Sequence, residues 1–334
     1  MLTPADSGQL INVILNQKRF LYSFSYKPLK INIISQENLK NHFNHSINGK
    51  IISLLILCSY QEGLMSHDVI KAYGKTSAYY RLLPEKNYIR KAMETHFFIT
   101  GTSRGIGRAL AERLVKNPYH HVVGIARNAA FQHSRYTHIT ADLTEVDKLF
   151  ELAEKIFIEK PTAKRLVLIN NAGTLGEIGY VGQIAEVQMI ASFCVNMIAP
   201  ALLCSLFIRK YGHLRIPKTI INVSSGAGKN PYDGWASYCA AKAGLDMFSR
   251  CVQIEQDIRE LGFRIFSVAP GVVDTQMQQA IRSANTEGFS RIERFRLLKE
   301  NRELSTPEEV AEKFIYLLDN EEQYPEVILD LRSI

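Results

Sequence analysis

The chain has few of the residues that build cross-linked or metal-stapled folds. Its five cysteines, Cys58, Cys194, Cys204, Cys239 and Cys251, form no CxxC pair and no Cys/His ligand cluster. An odd, scattered set of thiols excludes a disulfide framework and a zinc module, and it fits a reducing compartment. Long apolar runs are scarce as well. Towards the N-terminus the longest is Leu54–Cys58, extended by Ile51 and Ile52 across Ser53. That falls far short of the roughly 20 residues a membrane-spanning helix needs, and it starts too deep for the apolar core of a secretory signal. Arginine is rare before residue 92, against a mitochondrial presequence, so the expectation is a cytoplasmic protein with no membrane partner. Net charge is missing from most of the molecule. Of 40 Lys+Arg and 33 Asp+Glu, residues 1–92 hold 12 and 5, which leaves residues 93–334 balanced at 28 each. The net +7 therefore says nothing about the larger part, and no nucleic-acid partner is expected of it.

What is present is globular: 46% hydrophobic residues with 22% charged. Composition changes near Met93. Ile, Asn, Lys and Tyr make up 35 of the first 92 residues but only 52 of the remaining 242. Their codons are rich in A and U, and residues 1–92 lack sustained periodicity at 3.6 or 2 residues. We read 1–92 as an atypical N-terminal extension, a gene-model artefact with the natural start near Met93; the rival is a basic surface-binding arm. From Met93 onward strands and helices alternate. Apolar runs predict strands at His96–Thr100, Val122–Ala126, Thr137–Thr140, Arg165–Asn170, Lys218–Val223, Phe263–Ala269 and Glu326–Leu331. Amphipathic helices are predicted at Gly105–Lys116, Glu145–Glu159, Ile184–Tyr211, Ala236–Leu261 and Pro307–Leu318. Alternation with continuous apolar strands implies one α/β domain over 93–334, a doubly wound parallel sheet of Rossmann type.

The first of these strands runs into Thr100-Gly101-Thr102-Ser103-Arg104-Gly105-Ile106-Gly107, where a helix opens. Gly101 allows a tight turn, Gly105 lets the backbone approach a pyrophosphate, and Gly107 lets helix pack on strand. The phosphate would sit on the free N–H groups of the helix start. Gly101, Ser103, Arg104, Gly105, Ile106 and Gly107 are thus candidate dinucleotide contacts. The second strand ends in Gly124-Ile125-Ala126-Arg127. NAD-preferring folds usually place an acidic residue there to accept from the ribose 2′-OH. Arg127, with Arg104, points instead to a 2′-phosphate and hence to NADP(H). Asp142 and Leu143 follow the third strand and can meet the adenine edge, though Asp142 can also serve only as a helix cap.

Further along, Tyr238 and Lys242 stand one helical turn apart, and Ser225 lies thirteen residues before Tyr238 at a strand end. Carbonyl reduction by hydride needs a proton donor at oxygen. A tyrosine has a free pKa of about 10, and a neighbouring ammonium would bring it towards working pH. Ser225 can orient the carbonyl. Together with the loop, these residues resemble the short-chain dehydrogenase/reductase family, whose pattern is TGxxxGxG, NNAG, a helical Asn, Ser and YxxxK. Here these stand as Thr100–Gly107, Asn170–Gly173, Asn196, Ser225, and Tyr238 with Lys242, joined by Pro270–Thr275. The resemblance implies that Tyr238 is the general acid and that Lys242 tunes it and holds the nicotinamide ribose. It also implies a proton relay through water near Asn196, a strand-bracing Asn171 beside the cofactor, and carboxamide contacts from Val273 and Thr275. Asn196 could instead simply satisfy a kink in its helix.

The stretch Ile221–Tyr232, with Trp235, Tyr238-Cys239 and Ala269–Met277, is similar to the benzil reductase branch, related to sepiapterin reductases. That implies NADPH-dependent reduction of one carbonyl of a vicinal diketone. Tyr232, Trp235 and Met277 would wall the pocket, and Gly226 and Ala227 would leave room beside Ser225; the aromatics could equally serve ordinary packing or dimer contact. The charge-rich segment Gln276–Glu303 would be a mobile lid. A pterin substrate is the nearest alternative and would need an acidic anchor such as Asp274, Glu287 or Glu326. A non-catalytic NADP-binding regulator, and a protein tethered through its basic leader, are alternatives of other classes. The helices Ile184–Tyr211 and Ala236–Leu261 carry more apolar surface than one sheet face needs, which, with the family's habit, implies a homodimer.

Overall fold

The computed structural model describes residues 10–11, 24–26, 29–31, 93–159, 162–285 and 287–334. The chain divides into two compact units, Met1–Glu85 and Lys86–Ile334. In the first, β1 (Leu10–Ile11) pairs parallel and β2 (Phe24–Tyr26) antiparallel with β3 (Leu29–Ile31). The apolar run at Leu54–Cys58 lies outside the described residues.

The second unit is built on a seven-stranded sheet in which every pairing is parallel, in the order β10-β9-β8-β7-β4-β5-β6. The strands are β4 (Thr95–Thr100), β5 (His120–Ala126), β6 (Tyr136–Thr140), β7 (Arg165–Asn170), β8 (Lys218–Val223), β9 (Phe263–Ala269) and β10 (Ile328–Asp330). The central strands β4, β7 and β8 are buried at every position. Both of their faces are covered by helices, which is why their sequences are continuous apolar runs rather than alternating ones. On one face α1 (Gly105–Leu114) and α8 (Pro307–Asp319) pack over Phe97, Ile99 and Phe266. On the other, α2 (Leu149–Ile156), α4 (Ala199–Tyr211) and α5 (Ala236–Arg259) cover Phe98, Leu168 and Ile220.

Arg165 and Lys218 begin β7 and β8 as buried cations, each with a partner. Arg165 donates to the Leu318 carbonyl at 2.9 Å and pairs with Glu321, and Lys218 donates to the Leu214 carbonyl. Most predicted elements differ from the observed ones by one to three residues at an edge, and three differences have a structural cause. The helix expected over 145–159 begins with a 3₁₀ turn, Val146–Lys148. The helix expected over 184–211 begins at Glu186 as α3 (Glu186–Phe193) and passes through a π-turn, Cys194–Ile198, before α4. β10 is shorter than expected. Ile265 N–H, which a longer ladder would use, donates to Gln253 Oε1 at 2.7 Å, and Asp330 caps a turn through Arg332 N–H.

From β4 the chain winds outward through β5 and β6, then returns to lay β7, β8, β9 and β10 on the other side. The switch point falls between β4 and β7, and a crevice opens there beyond the carboxyl ends of the strands, where ligands of such sheets bind. At the opposite end of the sheet the parallel register sets His96 beside His121, their rings stacked at 4.8 Å, with Glu94 Oε1 3.2 Å from His96 Nε2. These ligand-bearing groups lie within 4.8 Å of one another, a grouping the sequence reading did not anticipate.

Candidate active site

The crevice has a volume of about 1300 Å³. Its first wall is the glycine loop. Gly101 (φ +75°) and Gly105 (φ +56°) adopt left-handed backbone that other residues disfavour. Gly107 is needed for closeness: a Cβ there would stand 2.3 Å from Asn171 Nδ2 and 2.4 Å from the Gly101 carbonyl oxygen. Asn171 Nδ2 donates to the Thr100 and Gly101 carbonyls at 2.9 and 3.3 Å, and Ala172 N–H donates to Thr100 Oγ1 at 3.0 Å. The ends of β4 and β7 are thereby locked together. Arg104 holds the N-cap position of α1 in extended backbone and caps it with no side-chain hydrogen bond. An uncapped helix start over a glycine cradle suits a pyrophosphate, so the residues present fit a dinucleotide.

Ser103, Arg104, Ile106, Arg127, Asp142, Leu143, Asn171, Val273 and Thr275 all face this crevice, as do Gly101 and Gly105. Gly107 does not line it; it is buried behind the loop, where its role is packing. Arg127 stands exposed at the end of β5. Arg104 is engaged by Gln276 Oε1 across the crevice, a partner the sequence did not suggest. Asp142 accepts from Thr144 N–H at 2.9 Å and Thr144 Oγ1 at 2.8 Å, so it shapes its turn while lining the site. The Thr144 backbone hydrogen bond, aided by the nearby Arg127, keeps its carboxyl below the usual range. Thr275 caps α6 (Gln276–Arg282) by accepting from Gln278 N–H, and its methyl group is what a Cβ at Gly105 would meet, at 3.3 Å.

The proton-handling group sits deeper. Ser225 follows β8 and starts a 3₁₀ turn, with Ala227 N–H donating to its Oγ at 3.2 Å. Tyr238 and Lys242 lie in the first two turns of α5, 7% and 3% exposed. Burial pushes the Tyr238 pKa up, against a hydrogen bond with Ser225 that lowers it. Burial also brings Lys242 down to about 8, opposed by the charge of Asp246. The expectation that Lys242 would draw the tyrosine pKa down is therefore not met: Nζ donates to the Val223 carbonyl at 2.8 Å and lies 5.7 Å from the Tyr238 ring centre. Desolvation dominates at this tyrosine. Asp246, which the sequence reading missed, is buried one turn beyond Lys242 and accepts from Ser267 Oγ at 2.6 Å.

Asn196 is placed differently from the other candidates. It is fully buried and does not line the crevice. Its Nδ2 donates to the Thr174 carbonyl at 2.7 Å and to the Ser192 carbonyl at 2.8 Å, and its Oδ1 accepts from Thr174 N–H at 3.2 Å. It thus satisfies a carbonyl at the π-turn and pins the loop after β7. Only Gly173 separates it from Lys242, since a Cβ there would stand 3.1 Å from Asn196 Oδ1 and 3.8 Å from Lys242 Nζ.

The far wall is aromatic. Tyr232 and Trp235 stack at 4.9 Å, Phe289 covers the other side of Trp235 at 4.8 Å, and Trp235 meets Tyr238 edge-on at 6.2 Å. Tyr232, Trp235, Met277, Gly226 and Ala227 all line the crevice. Phe295, Arg291 and Arg294, from the segment over 291–300 that the sequence marks only as charged, line it too. Of the acidic anchors considered for a pterin, Asp274 lines the crevice but is paired with Lys299 and lies 3.9 Å from Arg282. Glu287 and Glu326 do not line it.

A family model described as short chain dehydrogenase matches residues 95–286. The chain is 38% identical over 237 residues to the benzil reductase ((S)-benzoin forming) of Bacillus cereus, covering 68% of this chain and 95% of that protein. It is 30% identical to the sepiapterin reductase of Bos taurus, covering 67% and 90%. Among solved structures, a short-chain dehydrogenase/reductase from Saccharomyces cerevisiae superposes with a TM-score of 0.61 at 25% identity, over 71% of this chain and 96% of that one. The chain belongs to the short-chain dehydrogenase/reductase family, oxidoreductases that use a nicotinamide cofactor.

Proposed function

We propose that the protein is an NADPH-dependent carbonyl reductase acting on one carbonyl of an aromatic vicinal diketone such as benzil. The observation that carries this reading is the convergence of Ser225, Tyr238 and Lys242 beside the Tyr232–Trp235 stack on one crevice. NADPH, when bound, supplies hydride to the carbonyl carbon. Tyr238 gives its phenolic proton to the carbonyl oxygen, and its burial keeps that proton in place until an alkoxide develops. Ser225 Oγ holds the same oxygen. Lys242, largely an ammonium below about pH 8, sits behind the tyrosine and attracts the phenolate that proton transfer leaves. Asn196 keeps the loop over Lys242 in place, and a water relay past it to solvent belongs to the same proposal.

The cofactor preference rests on Arg127 at the end of β5, where an NAD-preferring site would carry a carboxylate. A pterin substrate is less well served, because the acidic residue at this end of the crevice, Asp274, already has a lysine and an arginine. A non-catalytic regulator would have no use for a buried Tyr238–Lys242 pair beside Ser225. We also propose a homodimer. Val187 and Ile190 on α3, and Met247, Ile254 and Ile258 on α5, are 55–77% exposed, apolar side chains left facing outward on both helices. The segment Glu186–Tyr211 is also long and apolar enough to cross a membrane, but half of its apolar window is buried within the protein, as in a core helix. Cys194, Cys204, Cys239 and Cys251 are all unpaired, in keeping with the cytoplasm.

An NADPH-oxidation assay with benzil, 1-phenyl-1,2-propanedione, sepiapterin and simple aldehydes tests the reading. The diketones should be turned over with the highest kcat/KM. Turnover confined to simple aldehydes would overturn it.

A further inference from the structure

The charges around the crevice do not balance, and the imbalance sits at its aromatic end. Helix α7 (Ile292–Glu300) turns one face to the crevice through Arg291, Arg294 and Phe295, the three- and four-residue spacing of a single helix side. On its outer side Arg296 is paired with Glu293. Arg294 forms no ion pair among the described residues. Arg291 lies over the Tyr232 ring, 4.9 Å from its centre. The carboxylate near Arg291 is Asp233, whose oxygens accept from Ser290 N–H at 2.6 Å and Ser290 Oγ at 3.0 Å.

The other cations at this end are already matched. Arg282 faces Asp274, and Arg332 makes a forked contact with Asp330. The dinucleotide phosphates have their own positive groups in the α1 start, Arg104 and Arg127. Arg291 and Arg294, both exposed, therefore stand on the wall that carries Tyr232, Trp235 and Phe295 with Asp233 as the carboxylate near them, which leaves this wall one positive charge in excess among the described residues. An incoming anion could make charge-assisted hydrogen bonds with these guanidinium groups. Tyr232, Trp235, Met277 and Phe295 line the crevice here and give the body of such a molecule an apolar wall.

We propose that the preferred substrate is an aromatic vicinal dicarbonyl bearing a carboxylate on the end remote from the reacting carbonyl, received by Arg291 and Arg294. This rests on the reductase reading and names the substrate class of the same site. The arginines select and position the acid; the chemistry stays with Ser225, Tyr238 and Lys242.

The test compares 4-carboxybenzil with its neutral methyl ester, using the full chain and NADPH. The acid should have a KM about tenfold or more below that of the ester, and the advantage should shrink in 0.5 M KCl, because screening weakens exposed charge pairs. Arg291→Gln with Arg294→Gln should bring the acid-to-ester ratio towards one. Calorimetric binding of acid and ester to the NADP⁺-loaded protein reads the same preference without turnover. Equal KM and equal binding of acid and ester in the wild type would overturn the proposal. A double variant that keeps the ratio, or one whose NADPH affinity falls as much as the ratio does, would also overturn it, the latter by assigning the arginines to the dinucleotide. Failure of every diketone to be reduced would instead defeat the reductase reading, while the binding arm still decides the charge preference.

Discussion

The wall that fits the dinucleotide is made of backbone: strand ends, left-handed glycines and an uncapped helix start, braced by Asn171 across β4 and β7. The wall facing it is made of side chains: the Tyr232–Trp235 stack just before α5, and a pair of arginines at the start of α7. Tyr238 and Lys242 belong to neither, standing on a 24-residue helix between them. A backbone-built wall has few ways to change without unfolding, whereas a side-chain wall can be rewritten one residue at a time. On the proposed reading, the first wall would hold the dinucleotide and the second would set what is reduced.

If the division is sound, variants in each part should fail differently. The largest loss should come from the group between the walls. Tyr238→Phe should cut turnover by about 10²–10⁴-fold and leave NADPH affinity, measured by fluorescence titration, near that of the wild type. In the backbone wall, Arg127→Ala should lower the preference for NADPH over NADH by about 10–100-fold in kcat/KM, the worth of one charge-assisted contact of about 1.5–3 kcal/mol. Gly107→Ala should cost about 1–3 kcal/mol of stability in urea unfolding, since its Cβ has no room beside Gly101 and Asn171. The pH profile follows from Lys242. Its ammonium is lost as pH rises through about 8, so kcat/KM for reduction should be level below that value and fall above it. In the side-chain wall, Phe295→Leu should raise the KM for benzil about 2–10-fold with little change in NADPH affinity, from the loss of aromatic contact with Trp235 and Tyr232. Equal effects of Phe295→Leu on NADPH and on benzil would erase the distinction between the walls.

How much of this was legible in the sequence follows the same line. The limits of β7, β8 and β9 agree with the apolar runs to the residue, because a strand covered on both faces must be apolar throughout. The glycine loop was readable because Gly101 and Gly105 answer a local backbone demand and Gly107 sits where there is no room for a side chain between helix and strand. The π-turn at Asn196 was not, since one extra residue in a helical turn leaves no mark on a helical pattern. Nor was the contact of Arg104 with Gln276, 172 residues away. The lid was read as charged, but which arginine faces inward depends on where α6 ends and α7 begins. The direction of the Tyr238 shift was misjudged because depth of burial, which dominates it, is a property of the packed fold.

The most direct test of the central claim is steady-state NADPH oxidation by the purified protein with benzil, set against NADH and against the Tyr238→Phe variant. The account predicts reduction of benzil by the wild type, faster with NADPH, and its near-complete loss in the variant. Comparable turnover with NADH, or a Tyr238→Phe enzyme that retains most of its rate, would contradict it.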